Sequence, residues 1–334
     1  MITAKFDGPV LVTGGAGYIG GQTVLCLLDL GAEVVVVDDF STGTYRPHLD
    51  QTQFYKGRIQ DTSFIEAILK RHQVKSILHF AGSIQVDESI KNPLKYYENN
   101  TEGSRALLSA SVGANVKRFI FSSTAAVYGA VTDSRPVAET AEVSPLNPYG
   151  WSKLFTERAL RDVSVAHGMK YGILRYFNVA GADAGLRHGQ FLKNPVHLIG
   201  RAIDAMCGRA GPLQIFGNNL PTSDGTGVRD YIHVYDLAAA HLAVLAQLEK
   251  TDESLLLNLG YGNGHSVLEV VRCIEKHAGK KVPTEFAEPR SGEAPSVIAD
   301  ITRLSSYLKW QPEHAGLDDI VMSALAWNDK LQVK

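Results

Sequence analysis

The sequence predicts an α/β protein with a doubly wound parallel sheet and a smaller C-terminal lobe. Three observations lead to this fold class. Short apolar runs alternate with amphipathic stretches over the first half of the chain, a cluster of glycines follows the first run, and the pattern loosens after Asn178. Strands that alternate with helices are typical of parallel sheets, and valine-rich runs such as Val34–Val37 suit a sheet covered on both faces.

The predicted elements follow in order along the chain. We expect buried strands at Val10–Thr13, Glu33–Val37, Ser76–Ala81, Arg118–Ser123 and Tyr171–Tyr176. We expect helices at Gly20–Leu30, Ser63–Arg71, Pro93–Val112 and Pro148–Ala166. These elements form one domain that covers residues 1–178.

The second half of the chain has a looser pattern. Segment 180–230 is rich in Gly, Pro and Asn, with one helical stretch near Pro195–Cys207. Val228–Gln247 is typical of a strand and a helix, and Leu255–Gly260 of another strand. We therefore expect residues 228–260 to return to the main sheet, and residues 179–227 and 261–334 to form the smaller lobe.

The composition is typical of a globular enzyme. The formal net charge of −2 argues against nucleic acid or an anionic membrane as the main partner. No apolar run approaches the roughly 20 residues of a membrane helix, and the N-terminus lacks the apolar core of a signal peptide, so we expect a cytoplasmic protein. Three scattered cysteines, Cys26, Cys207 and Cys273, fit neither a disulfide framework nor a zinc site. We expect buried thiols and no metal.

The glycine cluster has the spacing of a dinucleotide-binding turn. Gly14, Gly17 and Gly20 follow the first strand and open the first helix. Glycines make the turn tight and let the backbone touch a pyrophosphate, whose charge the helix N-terminus favours. The second strand is followed by Asp38, an acid that can bind the adenosine ribose and repels a 2′-phosphate. These features predict a Rossmann-type domain that binds NAD rather than NADP.

A tyrosine and a lysine at helical spacing form a candidate proton-transfer pair. Tyr149 and Lys153 share one face of the helix predicted after Pro148. A lysine cation beside a phenol favours the phenolate, so we expect a lowered pKa for Tyr149. The strand that ends at Thr124 delivers hydroxyls to the carboxyl edge of the same sheet, where ligands bind. Hydroxyl, phenol and ammonium then suit proton removal from a sugar hydroxyl.

Seven segments together resemble the UDP-glucose 4-epimerase family of extended short-chain dehydrogenase/reductases. The resemblance covers nearly the full length of the chain. It is carried, in order, by Thr13–Gly20, His79–Gly82, Tyr96–Asn100, Phe121–Gly129, Asn147–Lys153, Leu174–Asn178 and Asp224–Ala238.

The resemblance implies a role for each matching residue. Tyr149 is the general base and acid, Lys153 tunes it and holds the nicotinamide ribose, and Thr124 bridges Tyr149 to the sugar. The implied NAD site comprises Gly14, Gly17, Tyr18, Ile19, Gly20, Asp38, Asp39, Phe40, Ser41, Ile59, Phe80, Ala81, Gly82, Asn99, Ser122, Ser123, Tyr149, Lys153 and Tyr176.

The implied substrate is a UDP-hexose. Its site comprises Thr124, Tyr149, Phe177, Asn178, His197, Leu198, Gln214, Phe216, Arg229, Arg290, Glu293 and Val297. Within this set, the resemblance assigns Asn178, Arg229 and Arg290 to the pyrophosphate, Phe216 to the uracil and Glu293 to the uridine ribose. The alternatives are an ion pair with Asp230 for Arg229, a core position for Phe216 and a surface charge for Arg290.

The implied reaction inverts C4 of the hexose through a 4-keto sugar while NAD stays bound. A dehydratase is a poor alternative, because the positions after the hydroxyl strand are Ala125 and Ala126, which cannot transfer protons. A UDP-pentose or UDP-uronate 4-epimerase remains open. So does an NAD-binding redox sensor without turnover, although Tyr149 and Lys153 argue against it.

Three positions set this chain apart within the resemblance. Arg58 stands where the family usually has an aspartate near the adenine, and Ile84 stands where many members have a lysine near the phosphates. Both substitutions leave open how tightly the protein binds NAD. Val297 lies on the implied sugar-pocket wall, and a small residue there predicts that UDP-N-acetylglucosamine is also accepted. The resemblance further implies a homodimer, with Pro93–Val112 and Pro148–Ala166 in a four-helix bundle.

Overall fold

The computed structural model describes residues 5–131, 135–191, 195–288, 294–308 and 310–332. The strands are β1 (Val10–Thr13), β2 (Val34–Asp38), β3 (Gln53–Lys56), β4 (Ser76–His79), β5 (Arg118–Thr124), β6 (Lys170–Tyr176), β7 (Asn178–Ala180), β8 (Leu213–Phe216), β9 (Val228–His233), β10 (Leu255–Leu259), β11 (Gly264–Ser266), β12 (Thr284–Ala287) and β13 (Ser296–Val297). The α-helices are α1 (Tyr18–Asp29), α2 (Thr62–Arg71), α3 (Val86–Lys91), α4 (Pro93–Tyr96), α5 (Gly103–Gly113), α6 (Pro148–His167), α7 (Leu198–Met206), α8 (Val234–Thr251), α9 (Val267–Ala278), α10 (Thr302–Tyr307) and α11 (Leu317–Gln332).

The main sheet has seven parallel strands in the order β10-β6-β5-β4-β1-β2-β3. The chain starts in the middle at β1, runs outward to β3, and then crosses to β4 on the other side. This reversal creates a crevice at the carboxyl ends of β1 and β4, where dinucleotides bind in doubly wound folds. The predicted fold class is confirmed.

Alternate residues of the main strands enter two separate cores. Val10 and Val12 of β1 pack with α1 and α8, through side chains such as Leu27 and Leu245. Leu11 points to the opposite face, whose core includes residues of α2, α5 and α6. Burial on both faces explains why these strands are continuous apolar runs rather than alternating ones.

The smaller lobe is built on a second sheet. Strand β9 is its centre and pairs with β7 and β13 in parallel and with β11 antiparallel. Strands β8 and β12 form a separate parallel pair. Helices α7, α9 and α11 cover the lobe core, with Ile203, Val271 and Ile320 in contact. Within the described ranges, no helix is both long and apolar enough to cross a membrane.

Two expectations about elements need correction. Residues 228–260 do not all return to the main sheet: α8 packs on it and β10 joins it, but β9 belongs to the lobe sheet. Its partners β11 and β13 are three and two residues long, too short for a sequence pattern to reveal. The helix expected over Pro93–Val112 contains a π-helical turn at Tyr97–Glu102 between α4 and α5.

Candidate active site

The glycine turn between β1 and α1 is shaped to receive a phosphate group. Gly14 has a φ of 73°, and a Cβ added to it would lie 2.6 Å from the Ala81 backbone nitrogen. A Cβ on Gly20 would lie 2.2 Å from the Gly14 carbonyl oxygen. Gly17 precedes α1 and supplies no side-chain cap to its N–H groups. The first turn of α1 therefore keeps its donors available for an anion, which fits the pyrophosphate of NAD.

Asp38 lies under this turn at the end of β2. Its carboxylate accepts hydrogen bonds from the Ala16 N–H at 2.9 Å and the Phe40 N–H at 2.8 Å. Burial raises the pKa of Asp38, although both hydrogen bonds oppose the shift. The acid is therefore tied to the cofactor turn, and binding of the adenosine ribose stays a prediction for it.

The π-helical turn supplies two asparagines to the loop after β4. Asn99 donates to the Ser83 hydroxyl at 3.0 Å and accepts from Gln60 at 3.2 Å. Asn100 is buried; it accepts from the Ser83 N–H at 2.7 Å and donates to the hydroxyl of Ser152 on α6 at 3.0 Å. Sequence reasoning missed Asn100, whose only signal is its position beside Asn99. A π-helical turn is common at functional sites because it shifts side chains out of α-helical phase.

Tyr149 and Lys153 lie in the first two turns of α6, as expected. Pro148 takes the first helical position and the Asn147 side chain caps the helix by accepting from the Gly150 N–H at 2.9 Å. Both functional side chains are buried. The Thr124 hydroxyl hydrogen-bonds the Tyr149 phenol, and the Lys153 ammonium donates to the Ser122 carbonyl at 2.9 Å. The structure therefore brings together the three residues that the sequence singles out.

The protonation states at this site differ from the sequence expectation. Burial raises the pKa of Tyr149, and the hydrogen bond from Thr124 opposes this only in part. The expected lowering by Lys153 is wrong for the cofactor-free protein, because desolvation of the phenolate dominates. Burial also lowers the pKa of Lys153 to about 8. Both groups are therefore held toward their neutral forms.

Ser122 and Ser123 point to opposite sides of β5, as strand geometry requires. The Ser122 hydroxyl donates to the Tyr176 hydroxyl at 2.8 Å. Ser123 instead donates to Glu157 at 2.5 Å, and Glu157 forms a two-point ion pair with Arg175 at 2.9 and 2.6 Å. The Ser123 side chain is thus committed to a buried network behind the site.

The predicted substrate residues are spread over the lobe and its junction with the main sheet. Thr124 pairs in register with Tyr176, the last residue of β6, and the chain then passes through Phe177 into β7. Asn178 of β7 hydrogen-bonds the side chain of Tyr231 on β9. The active-site wall therefore continues directly into the lobe sheet.

Two more of the predicted substrate residues lie along the lobe strands. Arg229 of β9 is in register with Val297 of β13, and its guanidinium donates to the Val228 carbonyl at 2.8 Å. Asp230 is engaged by the N–H groups of Tyr261, Gly262 and Ala299. Its burial raises its pKa to about 6.

The remaining predicted residues lie at α7, on β8 or outside the described residues, and their roles stay predictions. His197 and Leu198 lie at the start of α7, and burial lowers the pKa of His197. Gln214 and Phe216 lie on β8, where the Gln214 amide donates to Glu285 at 2.8 Å. Arg290 and Glu293 fall outside the described residues.

The cysteine expectation is correct for two of the three thiols. Cys26 and Cys273 are buried, but Cys207 is exposed where α7 ends. Among the described residues, Cys273, His277 and Asp318 place potential metal-ligand atoms within 4.8 Å of one another. The Asp318 carboxylate already accepts hydrogen bonds from Lys276 and His277.

Comparison with known proteins gives a consistent result. Residues 10–260 match the model of the NAD dependent epimerase/dehydratase family. The chain is 48% identical to a UDP-glucose 4-epimerase of Azospirillum brasilense over 97% of this chain and 92% of that protein. It is also similar to the structure of a UDP-glucose 4-epimerase from Stenotrophomonas maltophila with bound NAD and formylated UDP-arabinopyranose. The TM-score is 0.94 at 36% identity, covering 98% and 99% of the two chains.

A third similar structure is that of an enzyme named for two sugars. The UDP-Glc/GlcNAc 4-epimerase of Campylobacter jejuni superimposes with a TM-score of 0.86 at 40% identity, covering 97% of this chain and all of that one (100%).

Proposed function

This chain belongs to the NAD dependent epimerase/dehydratase family, and we propose that it inverts C4 of a UDP-hexose, interconverting UDP-glucose and UDP-galactose. One observation carries the proposal. The buried group of Tyr149, Thr124 and Lys153 stands at the carboxyl edge of a sheet whose glycine turn fits NAD. The two residues after Thr124 are alanines, so the site lacks the acid and base that removal of water would need at those positions.

Different residues of the site carry out proton transfer and hold the reacting groups in place. Tyr149 accepts the proton of the sugar 4-hydroxyl and later returns it, with the Thr124 hydroxyl as its bridge to the sugar. Lys153, held by the Ser122 carbonyl, stabilises the phenolate when it forms. NAD supplies the hydride acceptor at C4 and, on the other face of the 4-keto sugar, the hydride donor. No net oxidation occurs, so the cofactor can stay bound.

We propose that the smaller lobe, residues 179–227 and 261–334 together with β9, binds the UDP moiety. Arg229 suits a phosphate because a guanidinium offers two parallel donors to its oxygens. The lobe sheet also holds Asn178 and Val297, on two strands that pair with β9. Arg290 and Glu293 remain predicted partners of the pyrophosphate and the uridine ribose.

A substrate panel tests the proposed function. The purified protein is supplied with UDP-galactose, UDP-N-acetylglucosamine, a UDP-pentose or a UDP-uronate, without added NAD, and the products are separated by chromatography. We expect conversion of UDP-galactose to UDP-glucose. Turnover of the pentose or uronate alone would favour that class of 4-epimerase, and NAD binding without any turnover would favour a redox sensor.

We also propose that UDP-N-acetylglucosamine is a substrate. Val297 is a small, partly buried residue on the implied pocket wall, and the related Campylobacter enzyme is described as acting on both sugars. The matched variant is Val297→Tyr, which should reduce turnover of the acetylated sugar more than that of UDP-glucose. Undetectable turnover of the acetylated sugar by the unmodified protein, beside brisk turnover of UDP-glucose, would contradict this.

The surface of α4 and α6 supports the proposed homodimer. Leu94, Trp151 and Phe155 expose 76%, 37% and 47% of their surface, and the Trp151 and Phe155 rings lie 5.7 Å apart. A contiguous apolar surface on two neighbouring helices is typical of a subunit interface. Sedimentation of the purified chain should give a dimer, and Phe155→Glu should shift it toward monomer.

A further inference from the structure

The cofactor cleft has an outer edge where residues of the implied NAD site lie beside residues that the resemblance does not assign. A cleft there is lined by Ser41 after β2, Arg58 after β3, Ser83 after β4, and Lys95 and Asn99 from the helical segment that follows. The carboxyl ends of β2, β3 and β4 meet at this edge, so the cleft continues from the glycine turn. It therefore borders the region where the adenosine half of a dinucleotide binds.

Opposite walls of this cleft are joined by one ion pair. The Arg58 guanidinium, on the turn after β3, lies 3.4 Å from the Glu98 carboxylate, on the π-helical turn. The two side chains are 54% and 67% exposed. Nothing buries this pair, so it can open and close.

The π-helical turn is itself anchored on both sides of the cleft. Asn99, next to Glu98, bonds Gln60 beyond the β3 turn and Ser83 in the β4 loop. These bonds anchor the turn, whereas the Glu98 side chain is 67% exposed and pairs with Arg58. The wall is therefore fixed, and the ion pair is its movable part.

Charge gives the pair a second role. Asp39, just after β2, and Glu98 both line the cleft, and NAD would bring two phosphates. Arg58 and Lys95 are the cations among the described residues that line this cleft. Lys95 is held 2.5 Å from Glu88. Arg58 thus links the walls and also offsets negative charge at the edge.

We propose that Arg58 and Glu98 form a latch across the outer edge of the NAD cleft, which must open before the cofactor leaves. The proposal rests on the proposed function, since it concerns retention of the same NAD. Arg58 then helps to retain NAD, and its presence in place of an aspartate is more than the loss of a contact with the adenine. A surface pair of this kind changes rates modestly, so we expect about two- to fivefold faster NAD release when either partner is removed.

Release of radiolabelled NAD⁺ into an excess of unlabelled NAD⁺ tests the latch. Rates are measured by rapid filtration for the unmodified protein, Arg58→Ala, Glu98→Ala and the double variant. We expect both single variants to release NAD faster and the double variant to release it no faster than either, because the residues act as one pair. High salt should reduce the differences. The matched control is Arg105→Ala, which removes an ion pair with Glu102 of similar exposure outside this cleft.

The outcomes separate the latch from the proposed function. Wild-type release rates in either Arg58→Ala or Glu98→Ala would overturn the latch and leave the epimerase proposal intact. An equal increase in Arg105→Ala would overturn it as well. An unmodified protein that holds no label and converts no UDP-sugar would contradict the proposed function and the latch together.

Discussion

At the inner end of the cofactor cleft the polar groups are buried, whereas at its outer edge they are exposed ion pairs. Tyr149, Lys153, and the Glu157–Arg175 pair are at most 7% exposed. Arg58 and Glu98 are more than half exposed. A buried group loses its partner only at a large free-energy cost, while an exposed pair contributes little to stability. The inner end can therefore hold reacting atoms in place, and the outer edge can let a cofactor in.

The largest effect expected at the inner end is on turnover. Tyr149→Phe removes the hydroxyl that accepts the sugar proton and keeps the ring, so epimerisation should fall about 10²- to 10⁴-fold. NAD should remain bound, because the lost group contributes to chemistry more than to retention. Measurement of kcat together with bound NAD checks both points.

Tyr176→Phe is the matched control for this prediction. It removes another phenol, a partly buried one that accepts a hydrogen bond from Ser122. A Tyr149→Phe variant no slower than Tyr176→Phe would contradict the assignment of the general base.

The next effect concerns the buried pair behind the site. Glu157→Gln leaves the Arg175 guanidinium, 3% exposed, without its carboxylate. The free energy of unfolding should fall by about 3–5 kcal/mol, measured by urea denaturation. Arg158→Ala is the control: it breaks the exposed pair with Asp162 on the same helix and should cost about 0–1 kcal/mol. Equal losses of unfolding free energy in the two variants would contradict the expected difference between buried and exposed ion pairs.

The smallest effect is a pH dependence that comes from Lys153. Its folded pKa of about 8 lies below the ordinary value of 10.5, so above pH 8 the unfolded chain binds more protons than the folded one. The stability of the NAD-free protein should therefore rise, relative to Lys153→Met, by about 1–2 kcal/mol between pH 7.5 and 9.5. Urea denaturation at several pH values measures this. A constant difference between the two proteins across that range would show that the cation is not destabilised by burial.

Much of the fold could be predicted because the main strands are buried on both faces. Val10–Thr13 was predicted to the residue, since a short apolar run of this kind has few alternatives. The π-helical turn could not be predicted, because a shift of phase over a single turn is too short to show in the side-chain periodicity. Strand β9 was placed in the wrong sheet because its partners are very short.

The candidate site shows the same limit in its chemistry. Helical spacing paired Tyr149 with Lys153, because residues four apart share a helix face. The end of a hydroxyl-bearing strand at the sheet edge, together with the resemblance, added Thr124. The pKa of Tyr149 could not be read from spacing, since it depends on burial. The hydrogen-bond partner of the Ser123 hydroxyl and the exposure of the Cys207 thiol likewise depend on which side chains pack against them. From the sequence, Arg58 indicates only the loss of an aspartate near the adenine. Its partner, Glu98, is brought to it by the fold and could not be predicted.

The position of β10 at the edge of the main sheet has a consequence for how the protein is made. A nascent chain that has reached residue 180 has β1 to β6 but lacks α8 and β10, which cover and extend the sheet. Buried residues of β6, such as Ile173 and Leu174, then lie at an open edge, where unpaired strands attract other chains. Part of the smaller lobe, including β7 to β9, is synthesised before this edge can close. The main sheet can therefore close only when the chain is complete to Leu259, after the first part of the lobe has been made.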